Sequence, residues 1–205
     1  MPVVEPRTIE VNARRYRWPG RPLVVVCIDG SEPGYDKSDS GGYIDRALKA
    51  GCMPYLRTAI AAGTKRVANC VVPSFTNPNN ISIVTGVPPA VHGICGNFFY
   101  DPDAGAEVMM NDPKLLRVET ILASFQRCGA KVAVVTAKDK LRALLGKGLS
   151  YSTGSTCFSA EKAHEATLEA NGIDNVLELV GSPLPSVYSA ALSEFVFAAG
   201  VKLME

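Results

Sequence analysis

Alternation of β and α segments through short connections predicts an α/β protein, with a doubly wound, mostly parallel sheet flanked by helices. Two runs carry that expectation. Leu23-Val24-Val25-Val26-Cys27-Ile28 is continuous, apolar and largely β-branched between Pro22 and Asp29-Gly30, the pattern of a strand buried on both faces. Lys131 to Ala137 repeats it with Val132, Ala133, Val134 and Val135.

The remaining elements follow in order. Gly30 to Gly42 is rich in Ser, Gly and Asp and predicts a loop. Tyr43 to Ala62 has helical spacing through Ile44, Ala47, Leu48, Leu56 and Ile60; Pro54 divides it into two helices and Gly63 stops it. Lys65 to Val72 predicts a strand, and Asn77 to Val84 a helix entered through a Pro-rich turn. Val118 to Cys128 predicts a helix with Ile121, Leu122 and Phe125 on one face and Gly129 at its end. Lys138 to Leu145, Ala160 to Ala170 and Ser189 to Ala199 read as helices, and Gly146 to Thr156 as a loop. Residues 1–20 are expected to be an N-terminal arm, with the basic run Arg14, Arg15, Arg17 and Arg21 at its end solvated, and 21–205 to be the N-terminal part of one domain.

Composition excludes several function classes. Lys plus Arg number 21 against 20 Asp plus Glu, so the basic field that nucleic acid requires is missing. The run from Leu23 to Ile28 is too short and too deep in the chain for a signal peptide, and no stretch approaches the ~20 apolar residues that span a bilayer. A cytoplasmic protein is expected. The cysteines, Cys27, Cys52, Cys70, Cys95, Cys128 and Cys157, form no C-x-x-C pair and are expected to be reduced.

Two positions draw chemical interest. Asp29 follows the opening strand, at the carboxyl edge where α/β sheets gather ligands. It reads equally well as a cation ligand or as the start of an Asp-Gly turn. Thr76 stands at a predicted helix N-terminus, where a hydroxyl can cap the helix or can act as a nucleophile favoured by free N–H groups. A Thr nucleophile needs a base or a metal, and the chain has only His92 and His164. His92 reads as a loop-shaping residue and His164 as a surface one.

Val26-Cys27-Ile28-Asp29-Gly30, Pro73-Ser74-Phe75-Thr76-Asn77-Pro78-Asn79-Asn80, Ser82-Ile83-Val84-Thr85-Gly86, and His92-Gly93-Ile94 with Asn97 come in this order. The series resembles the phosphodiesterase and phosphonate-hydrolase branch of the alkaline phosphatase superfamily. Gly93-Ile94-Cys95-Gly96-Asn97-Phe98-Phe99-Tyr100 and Thr136-Ala137-Lys138-Asp139-Lys140 resemble the phosphonoacetate hydrolases within it. The resemblance implies Thr76 as nucleophile and zinc ligand, Asp29 on the same metal, Asn97 on the phosphonyl oxygens, and Lys138 and Lys140 on the substrate's carboxylate and phosphonate. It implies two zinc ions, a phosphothreonine intermediate, and hydrolysis of phosphonoacetate to acetate and phosphate. The partner is then a small molecule, with neither nucleic acid nor membrane, and a homodimer is compatible with it. The family's further zinc ligands, an Asp-x-x-x-His pair, an Asp-His pair and a His, and its cap domain are not in these 205 residues. The chain is therefore expected to be the N-terminal portion of the enzyme and inactive alone. Alternatives are a related metal-dependent phosphodiesterase or phosphomonoesterase, or a non-catalytic α/β fragment.

Overall fold

A computed structural model describes residues 7–31 and 41–205, in two compact units: one of Pro19–Cys70, the other of Met1–Trp18 with Val71–Glu205. Most of the loop expected over 30–42 lies outside the described residues.

In the smaller unit, α1 (Tyr43–Lys49) and α2 (Pro54–Ala62) divide at Pro54 as expected, because proline is tolerated in a helix's first turn but not inside it. The Arg57 guanidinium donates to the Leu48 carbonyl and Lys65 pairs with Asp45, which ties the two helices and the following segment together. The strands expected over 23–28 and 65–72 are not formed: both stretches join no ladder among the described residues. A buried strand needs a hydrogen-bonded neighbour and a covered face. Among its described residues the smaller unit provides two short helices and no strand, so Leu23 to Val26 and Ile28 keep exposed side chains.

The larger unit opens with an antiparallel hairpin, β1 (Thr8–Val11) and β2 (Arg14–Arg17), in register Thr8 to Arg17. Its two-residue turn has positive φ at Asn12 (50°) and Ala13 (60°), the twist that suits a tight hairpin. Residues 8–17 of the expected N-terminal arm thus form a hairpin. Asn12 Nδ2 donates to the carbonyls of Thr85 and Glu119, both at 2.9 Å, and Trp18 stacks on Phe125 with centroids 5.5 Å apart. Arg14, Arg15 and Arg17 remain exposed, as expected of that basic run.

Next come α3 (Thr76–Thr85), α4 (Pro89–His92), and a second hairpin of β3 (Phe98–Asp101) and β4 (Ala106–Met109), then α5 (Ile121–Arg127). Thr120 caps α5 by accepting from Ala123 N–H. β5 (Ala133–Thr136) and β6 (Thr156–Ser159) form a parallel pair, Ala133 opposite Thr156, joined by a 3-10 turn at Asp139–Leu141 and by α6 (Arg142–Leu145). This βαβ crossover is the parallel sheet of the described residues. The chain closes with α7 (Leu168–Asn171), α8 (Val176–Val180) and α9 (Ala190–Lys202).

Two apolar clusters hold the larger unit. Phe158, Ala160 and Ala163 pack with Val176 and Val180 of α8 and with Leu192, Phe195 and Ala199 of α9. Ile81 of α3, Ile94, Met110, Leu116, Leu141 and Leu144 form the other. At ~1.5–3 kcal/mol per fully buried aliphatic side chain, this second cluster fixes α3 to the turn carrying Lys138 and Lys140. No helix among the described residues is long and apolar enough to cross a membrane.

Candidate functional site

Thr76 is the first residue of α3, after Phe75 in extended backbone (φ −83°, ψ 157°). The helix start is held by its own side chains: Asn79 Oδ1 accepts from Val71 N–H at 3.0 Å, Asn79 Nδ2 donates to the Phe75 carbonyl, and Asn80 Nδ2 donates to the Thr76 carbonyl. These bonds fix the turn that presents Thr76, half-buried, at the positive end of the helix dipole.

Asn97 precedes β3 and reaches the same helix end, its Oδ1 accepting from Asn77 N–H at 3.0 Å. Thr76 and Asn97 are thereby brought together through their neighbour. His92 is fully buried nearby. Its Nδ1 accepts from Ile94 N–H at 3.1 Å, which leaves the Nε2 hydrogen for Ser82 Oγ at 2.9 Å. Burial holds its pKa below the ordinary value, against the Pro78 carbonyl, which raises it. A neutral imidazole tying α3 to the 93–94 loop is a structural role, as expected. His164 is half-exposed beside Glu165, also as expected.

Lys138 lies just past the carboxyl end of β5, and Lys140 is in the following 3-10 turn. The Lys138 ammonium stands 4.6 Å from the centroid of the exposed Tyr188 ring. Between the lysines, Asp139 turns inward: its carboxylate accepts from Arg142 Nε at 2.7 Å and Ser159 Oγ at 2.8 Å, and its N–H donates to Glu161 Oε2 at 2.7 Å. Burial pushes the Asp139 carboxyl up, but the bonds from Arg142 and Ser159 outweigh it and leave the group below its ordinary value. The Asp139 carboxylate is thus compensated by Arg142 and Ser159 rather than by the flanking lysines. Tyr188, against Lys138, and Asn77, bonded to Asn97, are neighbours of the candidate residues that sequence reasoning missed. An isolated Tyr between helices carries no signal, and Asn77 read as a first-turn helix residue.

Asp29 is in the smaller unit, where its Oδ1 accepts from Gly30 N–H at 3.0 Å, with Gly30 at φ 73°. Thr76, Asn97, Lys138 and Lys140 are all in the larger one. Catalytic zinc takes three protein ligands, and the described residues contain no cluster of three His, Cys, Asp or Glu side chains. They do not complete a zinc centre.

The model of type I phosphodiesterases / nucleotide pyrophosphatases matches residues 23–161. An ectonucleotide pyrophosphatase/phosphodiesterase of Caenorhabditis elegans is 33% identical over 99 residues, which are 46% of this chain and 13% of that protein. Two crystal structures of phosphonoacetate hydrolase from Sinorhizobium meliloti 1021, one in complex with phosphonoacetate and one with phosphonoformate, are each 57% identical with a TM-score of 0.90. Each match covers 98% of this chain and 47% of the other, so the chain has the alkaline-phosphatase-like fold over less than half the length of those relatives.

Proposed function

Because the chain belongs to the type I phosphodiesterase / nucleotide pyrophosphatase family, we propose that its protein hydrolyses the carbon–phosphorus bond of phosphonoacetate, giving acetate and phosphate. The observation that carries this reading is the 57% identity to phosphonoacetate hydrolase over 98% of the chain, which spans Thr76, Asn97 and the Lys138/Lys140 turn. Thr76 is the nucleophile. Its oxygen bonds to phosphorus as the carbon–phosphorus bond breaks, the electron pair leaves on the acetate methylene carbon, which takes up a proton, and water then cleaves the phosphothreonine. Asn97 donates to the phosphonyl oxygens. Lys138 and Lys140 hold the carboxylate and phosphonate, fixing orientation and offsetting charge that would repel the nucleophile.

Zinc is the proposed cofactor, with Asp29 and Thr76 among its ligands by resemblance to the family and the rest assigned to sequence outside these residues. Bound zinc would lower the pKa of the Thr76 hydroxyl. The substrate is a small molecule; a cytoplasmic location and a homodimeric assembly belong to the same reading.

The family's name also fits a phosphodiester substrate, and the lysines separate the two. In a zinc-supplemented protein of the full length of the solved relatives, Thr76→Ala should abolish turnover. Lys138→Ala with Lys140→Ala should cut kcat/KM for phosphonoacetate by about 100-fold or more, as lost charged contacts to a small dianion do. A phosphodiester without a carboxylate should be hydrolysed no worse. Equal losses on both substrates, or a preference of the parent protein for the diester, would reject the phosphonoacetate assignment.

A further inference from the structure

We propose that Asn77 is a positioning residue that sets the Asn97 amide with its NH2 end toward the phosphonyl group, a proposal that rests on the reading of Asn97 given above. Asn77 occupies the second position of α3, where an Asn is ordinarily solvated, yet it is fully buried. Its N–H is one of the donors that a helix start leaves without an intrahelical partner, and it is given to Asn97 Oδ1 at 3.0 Å. Only the oxygen of a carboxamide can accept that bond, so the Asn97 Nδ2 end is directed the other way and cannot interchange with the oxygen.

The Asn77 side chain makes a second contact at the same place. Its Nδ2 donates to the Met110 carbonyl at 2.9 Å, while Met110 N–H donates to the Asn97 carbonyl at 2.8 Å. Asn97 and Met110 are the residues flanking the β3–β4 hairpin. One residue beside the nucleophile therefore grips both ends of the hairpin that delivers Asn97. Asn77 Oδ1 has no hydrogen-bond partner among the described residues, and a buried unpaired acceptor is destabilising. An apolar side chain of that size would avoid the cost but would release the Met110 carbonyl. Keeping the amide favours precision at Asn97 over stability.

A double-mutant cycle tests this in the zinc-loaded protein of full length. Asn77→Ser keeps the N–H and loses the reach to Met110. It should lower kcat/KM for phosphonoacetate about 10- to 100-fold, as displacing an oriented group does. In an Asn97→Ala background the same change should cost less than about threefold, because coupled residues are not additive. Equal losses in both backgrounds would assign Asn77 a merely structural role and overturn the proposal. Amide hydrogen exchange decides independently of turnover and of how Asn77→Ser folds. Asn77 N–H should exchange slowly in the parent and in Asn97→Asp, and fast in Asn97→Ala. Inorganic phosphate should shift the Asn97 Nδ2 resonances. Fast exchange in the parent, or no shift with phosphate, refutes the proposal. A parent that exchanges and binds phosphate as expected but does not cleave phosphonoacetate would refute only the substrate assignment.

Discussion

Replacing Asp139 by Asn should loosen the turn that carries both lysines. The carboxylate accepts from Arg142 Nε at 2.7 Å and Ser159 Oγ at 2.8 Å, with Asp139 and Arg142 side chains only 23% and 28% exposed. Asparagine keeps an acceptor for Ser159 but removes the charge and can turn an NH2 toward Arg142. A charge-assisted bond of this kind contributes about 1.5–3 kcal/mol and an exposed pair under 1, so about 2 kcal/mol is expected for this partly shielded one. Such a loss lowers Tm by about 4–8 °C in a unit of this size. The pH dependence identifies the cause. Asp139 is held below its ordinary value, so its contribution is present above the unfolded carboxyl's pKa, about 4, and is lost as pH falls through the lower folded value. Urea titrations of parent and variant should show the gap at neutral pH and its closure in acid. A gap that persists unchanged in acid, or one below about 0.5 kcal/mol at neutral pH, would refute this account of the turn.

Three further outcomes are expected. Tyr188→Leu removes the ring 4.6 Å from the Lys138 ammonium and, at about 0.5–1 kcal/mol for an exposed cation–π pair, should raise KM for phosphonoacetate about two- to fivefold while Tyr188→Phe does not. Cys157 is buried and its thiol is pushed up to about 11, first by burial, so a thiol reagent should modify the exposed Cys27, Cys52, Cys70 and Cys95 well before it. The neutral thiol's contribution is whole below 9.0 and declines as pH rises toward about 11, and Cys157→Ala should flatten that alkaline limb in urea melts. His92 has a lowered pKa, so its stabilising effect is present above 6.5 and lost as pH falls below it; His92→Gln should remove that part of the acid limb, and an unchanged slope would contradict its neutral, buried role.

What the sequence discloses here follows the range of the forces involved. Helix position is local: Pro54 divides α1 from α2, and Thr76 opens α3 one residue from the expected start. β5 is equally local, an apolar run followed by Lys138 at its carboxyl end. The runs at 23–28 and 65–72 also end in apolar residues but join no ladder among the described residues, because composition describes a strand's preferred surroundings and cannot supply the neighbour. Hairpins fall between these cases. β1–β2 turns through Asn12 and Ala13 without a glycine, so the usual Asn-Gly signal is missing, whereas β3–β4 turns through Pro102 to Gly105, with Asp101 Oδ1 accepting from Asp103 and Ala104 N–H.

The same distinction holds inside the candidate site, where residue types can be read and orientations cannot. Lys138 to Leu145 reads as one helix, whereas Lys138 is extended, Asp139–Leu141 is a 3-10 turn, and the Asp139 carboxylate between the two lysines turns in to Arg142 and Ser159. An Asn at 97 offers either a donor or an acceptor to a ligand, and the choice is made by a backbone N–H 20 residues away. Anion recognition needs the donor end. The hydrogen bond that orients it comes from the residue next to Thr76, so a shift of the α3 start that moves the hydroxyl also moves the amide, and under the proposed reaction the two would reach one phosphorus together.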